Sequence, residues 1–152
     1  MNKTIFQCLV IMATMLSFCP ALAKIPTQEE IIKYEKKIVS HGHDLIDICK
    51  NLDRDDAEII LNLSDTVNSF HSNLEHMYDL LLIESIITLP NDKKFVEAMI
   101  NTKIANFLRE IDLYIKEINR GASFLKNKAA LTKATELRID IQRFKSLLEM
   151  KP

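Results

Sequence analysis

Residues 53–90 read DRDDAEIILNLSDTVNSFHSNLEHMYDLLLIESIITLP. Apolar residues recur at Ile60, Leu63, Val67, Phe70, Leu74, Met77 and Leu81, in steps of three and four. That spacing holds them on one face of an α-helix. Asp53 offers a carboxylate to first-turn amides, and Asp55 and Asp56 follow where the helix dipole favours acid. Pro90 closes the segment, because the residue before a proline avoids helical backbone angles. The stretch predicts one helix of up to about 35 residues, ~50 Å long at 1.5 Å per residue. A helix that long, apolar on one stripe, needs long partners.

The flanking sequence supplies them. Upstream, Thr27-Gln28-Glu29-Glu30 is a capping box, in which a hydroxyl and a carboxylate satisfy first-turn amides. A stripe follows at Ile31, Tyr34, Ile38, His41, Leu45, Ile48 and Leu52, predicting a helix over residues 28–51. Gly42 inside it costs about 1 kcal/mol relative to alanine and marks a close approach or a kink. Downstream, Asn91 or Asp92 is the expected cap of a third helix, with its stripe at Ile100, Ile104, Phe107, Ile111, Tyr114 and Ile118. Gly121 is the expected C-terminal cap, where left-handed backbone is needed. A fourth helix over residues 123–149 carries Ala130, Ala134, Leu137, Ile141, Phe144 and Leu148.

Short connections set consecutive helices antiparallel. The expected fold is all-α, an up-down-up-down antiparallel four-helix bundle with the shallow crossing of a coiled coil. Two glycines, four prolines and no tryptophan in 152 residues argue against a turn-rich β fold.

Residues 1–23, MNKTIFQCLVIMATMLSFCPALA, combine Lys3, an apolar run from Ile5 to Phe18, and the small-x-small sequence Ala21-Leu22-Ala23. This is the pattern of a bacterial secretory signal peptide, cleaved after Ala23, and it places the mature chain in the periplasm or outside the cell. The run is shorter than the ~20 residues a membrane span needs. Lipidation at Cys19 is the rival outcome, and the bulky Phe18 before it weighs against that. Residues 24–152 are then one bundle domain. They retain a single cysteine, Cys49, so no disulfide forms within one mature molecule. A helix thiol is the simple expectation, and an intermolecular disulfide the sharper one.

No residue set carries chemistry. His41 and His43 point ~200° apart around a helix, and His71 and His76 ~140°. Folding the first two helices together sets His71 level with Tyr34 and His41 level with Ser64, so the two pairs stand ~10 Å apart along the axis. No metal site is expected from them; His41, on the stripe, is expected to hydrogen-bond across that hairpin. The Cys-x-x-Cys-His sequence of covalent haem is absent. Met77 and Met99 are expected as core filler. There is no Gly-x-Ser-x-Gly, and Cys49 has no evident orienting histidine. The sequon Asn62-Leu63-Ser64 falls mid-helix behind a bacterial leader and is discounted. No catalytic residue, cofactor or nucleic-acid partner is expected.

Charge is more informative. Residues 53–89 hold eight acids and one base, whereas residues 122–152 hold seven bases and three acids. Mutual attraction within the bundle explains that simply; an electrostatically steered partner is the functional alternative.

The late part of the long helix, LLLIESII over residues 80–87, is apolar in every direction. The first helix begins at residue 28 and covers the second only to about Met77. Leu80, Leu82, Ile83, Ile86 and Ile87 then lose that neighbour, with Phe95, Met99, Phe144 and Leu147 expected nearby. Either residues 24–26 fold back, with Ile25 and Ile32 as plugs, or the end is open to a partner helix, a second copy or a hydrophobic ligand. The expected function is an exported, non-enzymatic bundle that binds a protein as an inhibitor, toxin-neutralising protein or chaperone. The alternative is a carrier of a small hydrophobic ligand or metal, in a cavity at Met77, Leu81, Met99 and Phe144.

Overall fold

The computed structural model describes residues 24–150. The expected signal peptide, its cleavage site and Cys19 lie outside the described residues. Four helices account for most of the rest: α1 Gln28–Cys49, α2 Arg54–Ile86, α3 Pro90–Phe124 and α4 Lys128–Glu149. The fold is all-α, with no strand among the described residues. None of these helices is long and apolar enough to cross a membrane.

Each helix packs on its chain neighbours, and α1 also packs on α4. Lys37 meets Asp140 and Asp44 meets Lys133, so numbering rises along α1 as it falls along α4. On α2 and α3, Glu84 meets Lys93 and Asn73 meets Lys103, in the same opposed sense.

The expected stripes are the core. All seven α2 positions are buried, as are Ile31, Ile38 and Leu45 of α1 and the whole α4 stripe. On α3 the stripe is buried except Tyr114, which is half-buried, and Val96 joins it. One ring from each helix meets at the centre. Phe70 and Phe107 have centroids 5.0 Å apart, Phe144 lies 5.9 Å from each, and Tyr34 lies 5.1 Å from Phe144. Each such pair contributes ~0.5–1.5 kcal/mol beyond the area it buries.

Three helix ends differ from the sequence expectation. The third helix starts at Pro90 itself, with no side-chain cap, instead of at Asn91 or Asp92. Proline there lacks an N–H that would be unsatisfied anyway, and its fixed φ suits the first turn. The same helix runs through Gly121 to Phe124, and neither glycine has positive φ. Gly121 is instead a close-packing position: an added β-carbon would stand 3.1 Å from Leu63 Cδ2 and 3.4 Å from Ile59 Cγ2. The fourth helix starts at Lys128 instead of Ser123. Asn127 caps it through Ala129 and Ala130 amides, and buried Asp56 accepts from the amides of Lys126 and Asn127 at 3.1 and 2.8 Å.

These ends shape the molecule. Measured from the aromatic layer, the helices end nearly flush on one side, each running about 15–17 residues. On the other side α1 and α4 stop after about five or six residues, while α2 and α3 continue for about 16. The α2–α3 hairpin therefore projects past its two neighbours by about ten residues, ~15 Å. Only α1 was expected to stop short. The fourth helix does so too: it ends at Glu149 as expected, but its later start at Lys128 shifts it along α3, so that Phe144 comes level with Phe107.

Candidate functional site

The projecting hairpin carries the apolar residues that set LLLIESII apart. Ile86 is 70% exposed, Phe95 68% and Leu89 63%, and Leu82, Ile83 and Met99 are also exposed. Leu80 and Ile87 are half-buried against the core. Leu80, Phe95 and Met99 line a shallow groove on the outer α2–α3 face, together with Ala98, Thr102 and Lys103.

Two expected members of this surface lie elsewhere. Phe144 is fully buried in the aromatic layer, and Leu147 is buried one turn later. With α4 ending at Glu149, neither residue reaches the hairpin tip. The N-terminal segment does not cover the tip either. The Lys24 amide donates to the Leu148 and Met150 carbonyls at 3.1 and 3.0 Å, which ties the segment to the end of α4. Pro26 is buried there and Ile25 stays exposed. Ile32 lines a separate cleft with Glu35 and Glu75. Nor do the four residues of the expected ligand cavity share one: Met77, Leu81 and Phe144 are core, whereas Met99 faces the outer groove.

The acidic and basic helices do not neutralise each other. On α4, Lys133 pairs with Asp44 of α1 and Lys145 with Asp112 of α3. A contact from the α3–α4 loop, Lys126 to Asp55 at 3.4 Å, touches the acidic helix at its first turn. Because α2 and α4 sit diagonally, their helix-borne charges face away from one another. Asp65, Glu75 and Asp79 leave α2 acidic toward solvent.

Three polar clusters bridge helices. In the first, Asp140 of α4 receives His41 Nε2 at 3.1 Å, Arg143 at 3.1 Å and Lys37 at 3.4 Å. His41 thus bonds to α4, not across the α1–α2 hairpin as the sequence led one to expect. Burial pushes the Asp140 carboxyl up, but the contacts from His41, Arg143 and Lys37 outweigh it and hold the group below its ordinary range. In the second, Asn73 donates to Glu110 and Tyr114 and accepts from Lys103 at 2.6 Å. Burial, then the neighbouring Glu110, raises the Tyr114 phenol. The third cluster sets His71 of α2 beside Glu35 of α1 and Glu75 of α2. The sequence hinted at the first through His41 on the α1 stripe and at the third by setting His71 level with Tyr34, next to Glu35; it gave no sign of the second.

His41 and His71 thus belong to different clusters, and His43 and His76 are exposed. Cys49 is half-buried at the end of α1, with Sγ donating to the Ala57 carbonyl at 3.8 Å. Comparison with protein-family models, with curated proteins and with solved structures gives no match for this chain.

Proposed function

We propose that this chain is an exported, non-enzymatic helical bundle of up-down-up-down topology whose projecting α2–α3 hairpin docks a protein partner. Inhibition, toxin neutralisation or chaperoning of that partner would use the same surface. The observation that carries this reading is the concentration of exposed Leu82, Ile83, Ile86, Leu89, Phe95 and Met99 on the hairpin. Large exposed apolar side chains gathered at one end of a fold are a feature of interaction sites. Burying three such side chains contributes several kcal/mol, at ~1.5–3 kcal/mol each. The unneutralised acid of α2 adds a steering field that favours a basic partner. Export rests on the leader pattern of residues 1–23. The rival, a ligand carrier, has less support, because its expected cavity residues pack into the core or face outward.

The test is site-specific photo-cross-linking in the host. A photoreactive side chain replaces Ile86 or Phe95, with Leu113, an exposed leucine of the four-helix half, as control. The same adduct from Ile86 and Phe95, absent from Leu113, supports the reading. No adduct, or equal adducts from all three positions, overturns it. Cell fractionation and N-terminal sequencing test export, with Lys24 expected as the first residue of the mature chain.

A further inference from the structure

Away from the hairpin tip, the flank between α1 and α2 holds three metal-ligating side chains that no expected role absorbs. His71 and Glu75 stand four residues apart on α2, which places them one turn apart on one face. Glu35 meets them from α1. His71 Nδ1 lies 3.6 Å from Glu35 Oε1, and Nε2 lies 3.9 Å from Glu75 Oε1. Both separations are longer than a hydrogen bond. The Nδ1 atom is nevertheless buried and has no hydrogen-bond partner. Nδ1 and Glu35 Oε1 stand near the separation of two donors on one ion, and Glu75, on the Nε2 side of the ring, joins them by swinging over.

The dimensions agree. One donor atom from each residue falls within a 4.8 Å group. Around a tetrahedral ion with bonds of ~2.0–2.1 Å, donors sit ~3.3 Å apart. Closing the widest gap takes about 1.5 Å of movement, which glutamate side chains supply by rotating between staggered conformers. Beside the cluster is a cleft lined by Ile32, Glu35, Glu75 and Asp79, which leaves the outer side of the site open. Two carboxylates supply the charge. The imidazole nitrogen shifts preference from magnesium and calcium toward transition ions.

We propose that Glu35, His71 and Glu75 bind a divalent transition-metal ion, Zn2+ in the first instance, with water completing its shell on the cleft side. The ion bridges α1 and α2. Because the donors converge only in the folded chain, it also stabilises the fold by mass action. The site is independent of the hairpin surface, and neither requires the other.

The test uses the tag-free chain, as the expressing cell processes it, stripped of metal. Co2+ is titrated while visible absorption reports coordination, and Zn2+ is titrated by calorimetry and by thermal melting. The expected result is one equivalent bound and a Zn2+-dependent rise in melting temperature. His71→Ala and Glu35→Gln should weaken binding by more than the ~10–100-fold that losing an outer-shell partner costs. Glu75→Gln should weaken it too; that side chain is 59% exposed, so its loss leaves the fold intact. The distant His43→Ala variant should bind like the parent. Absence of saturable binding overturns the proposal and leaves His71 as a bridge between two carboxylates. Undiminished binding in His71→Ala, or loss in His43→Ala, overturns it equally.

Discussion

A β-carbon built on Gly42 would stand 2.9 Å from Val67 Cγ1, closer than such atoms pack, so that the valine side chain or a helix must shift. Gly42 is buried on α1, and Val67 belongs to the α2 stripe. The glycine is what lets these helices approach here; of the close approach and the kink that its place in the helix suggested, the structure shows the close approach.

Gly42→Ala should therefore destabilise the bundle, although alanine is the better helix former by about 1 kcal/mol. Valine is stiff about its first torsion and cannot swing aside cheaply. Overpacking of this kind costs ~1–3 kcal/mol, so after the propensity gain a net loss of up to about 2 kcal/mol is expected. In a Val67→Ala background the clash is gone and Gly42→Ala should become stabilising. Urea unfolding of the double-mutant cycle measures the coupling, and simple additivity would refute the contact.

Gly121→Ala should behave differently. Its nearest neighbour is the tip of Leu63 at 3.1 Å, and a leucine end can rotate away. The helix-propensity gain then offsets the crowding, and thermal melting should place the variant within about 1 kcal/mol of the parent.

Asp56 fastens the α3–α4 loop to the start of α2 through two backbone amides. Asp56→Ala leaves both amides without their partner in a partly buried place, at a cost of up to about 1–3 kcal/mol. Asp56→Asn keeps an acceptor for one amide and should cost less. Chemical denaturation orders the three proteins, and equal stability of all three would show the loop to be held by packing alone.

These contacts show where sequence patterning stops. The three-four stripes were legible because helical spacing is a local property, and every stripe position is buried or half-buried. The ends of α3 and α4 were not, since they depend on Leu63 and Ile59 against Gly121 and on Asp56 reaching residues 126 and 127. Hence the projection of the hairpin past α4 was missed, and Phe144 and Leu147 were expected on a surface they do not reach. The apolar end of α2 was legible, because the short reach of α1 follows from its capping box; whether residues 24–26 cover Leu82, Ile83 and Ile86 was not, and Met99, expected as core filler, is exposed. Partners such as His41 and Asp140 lie 99 residues apart, and no local pattern pairs them.

Asp140 makes stability depend on pH in a definite direction. Its folded carboxyl titrates below the ordinary value of 3.8, mainly because the contacts from His41, Arg143 and Lys37 outweigh burial. A lowered folded pKa contributes stability that is present above the unfolded value and is lost as pH falls through the folded one. Near pH 7, Asp140→Asn should cost about 1–3 kcal/mol, the range for hydrogen bonds to a buried charged group. The gap between the two proteins should hold down to about pH 5 and narrow below about pH 4. Thermal melts across pH 7 to 3 test this, and a gap that widens toward acid would reverse the sign.

The hairpin surface and the core beneath it should separate cleanly under mutation. Ile86 and Phe95 are mostly exposed, so Ile86→Asp and Phe95→Asp should change stability by no more than about 0.5 kcal/mol. Phe144 touches the rings of Tyr34, Phe70 and Phe107, so Phe144→Ala should cost about 3–5 kcal/mol. If the hairpin docks a partner, the two aspartate variants lose the Ile86 and Phe95 cross-links while keeping the parental melting temperature. Phe144→Ala, tested below its own melting temperature, should keep those cross-links. Aspartate variants that unfold as readily as Phe144→Ala would place the hairpin residues in a packed core and remove the basis for a docking surface.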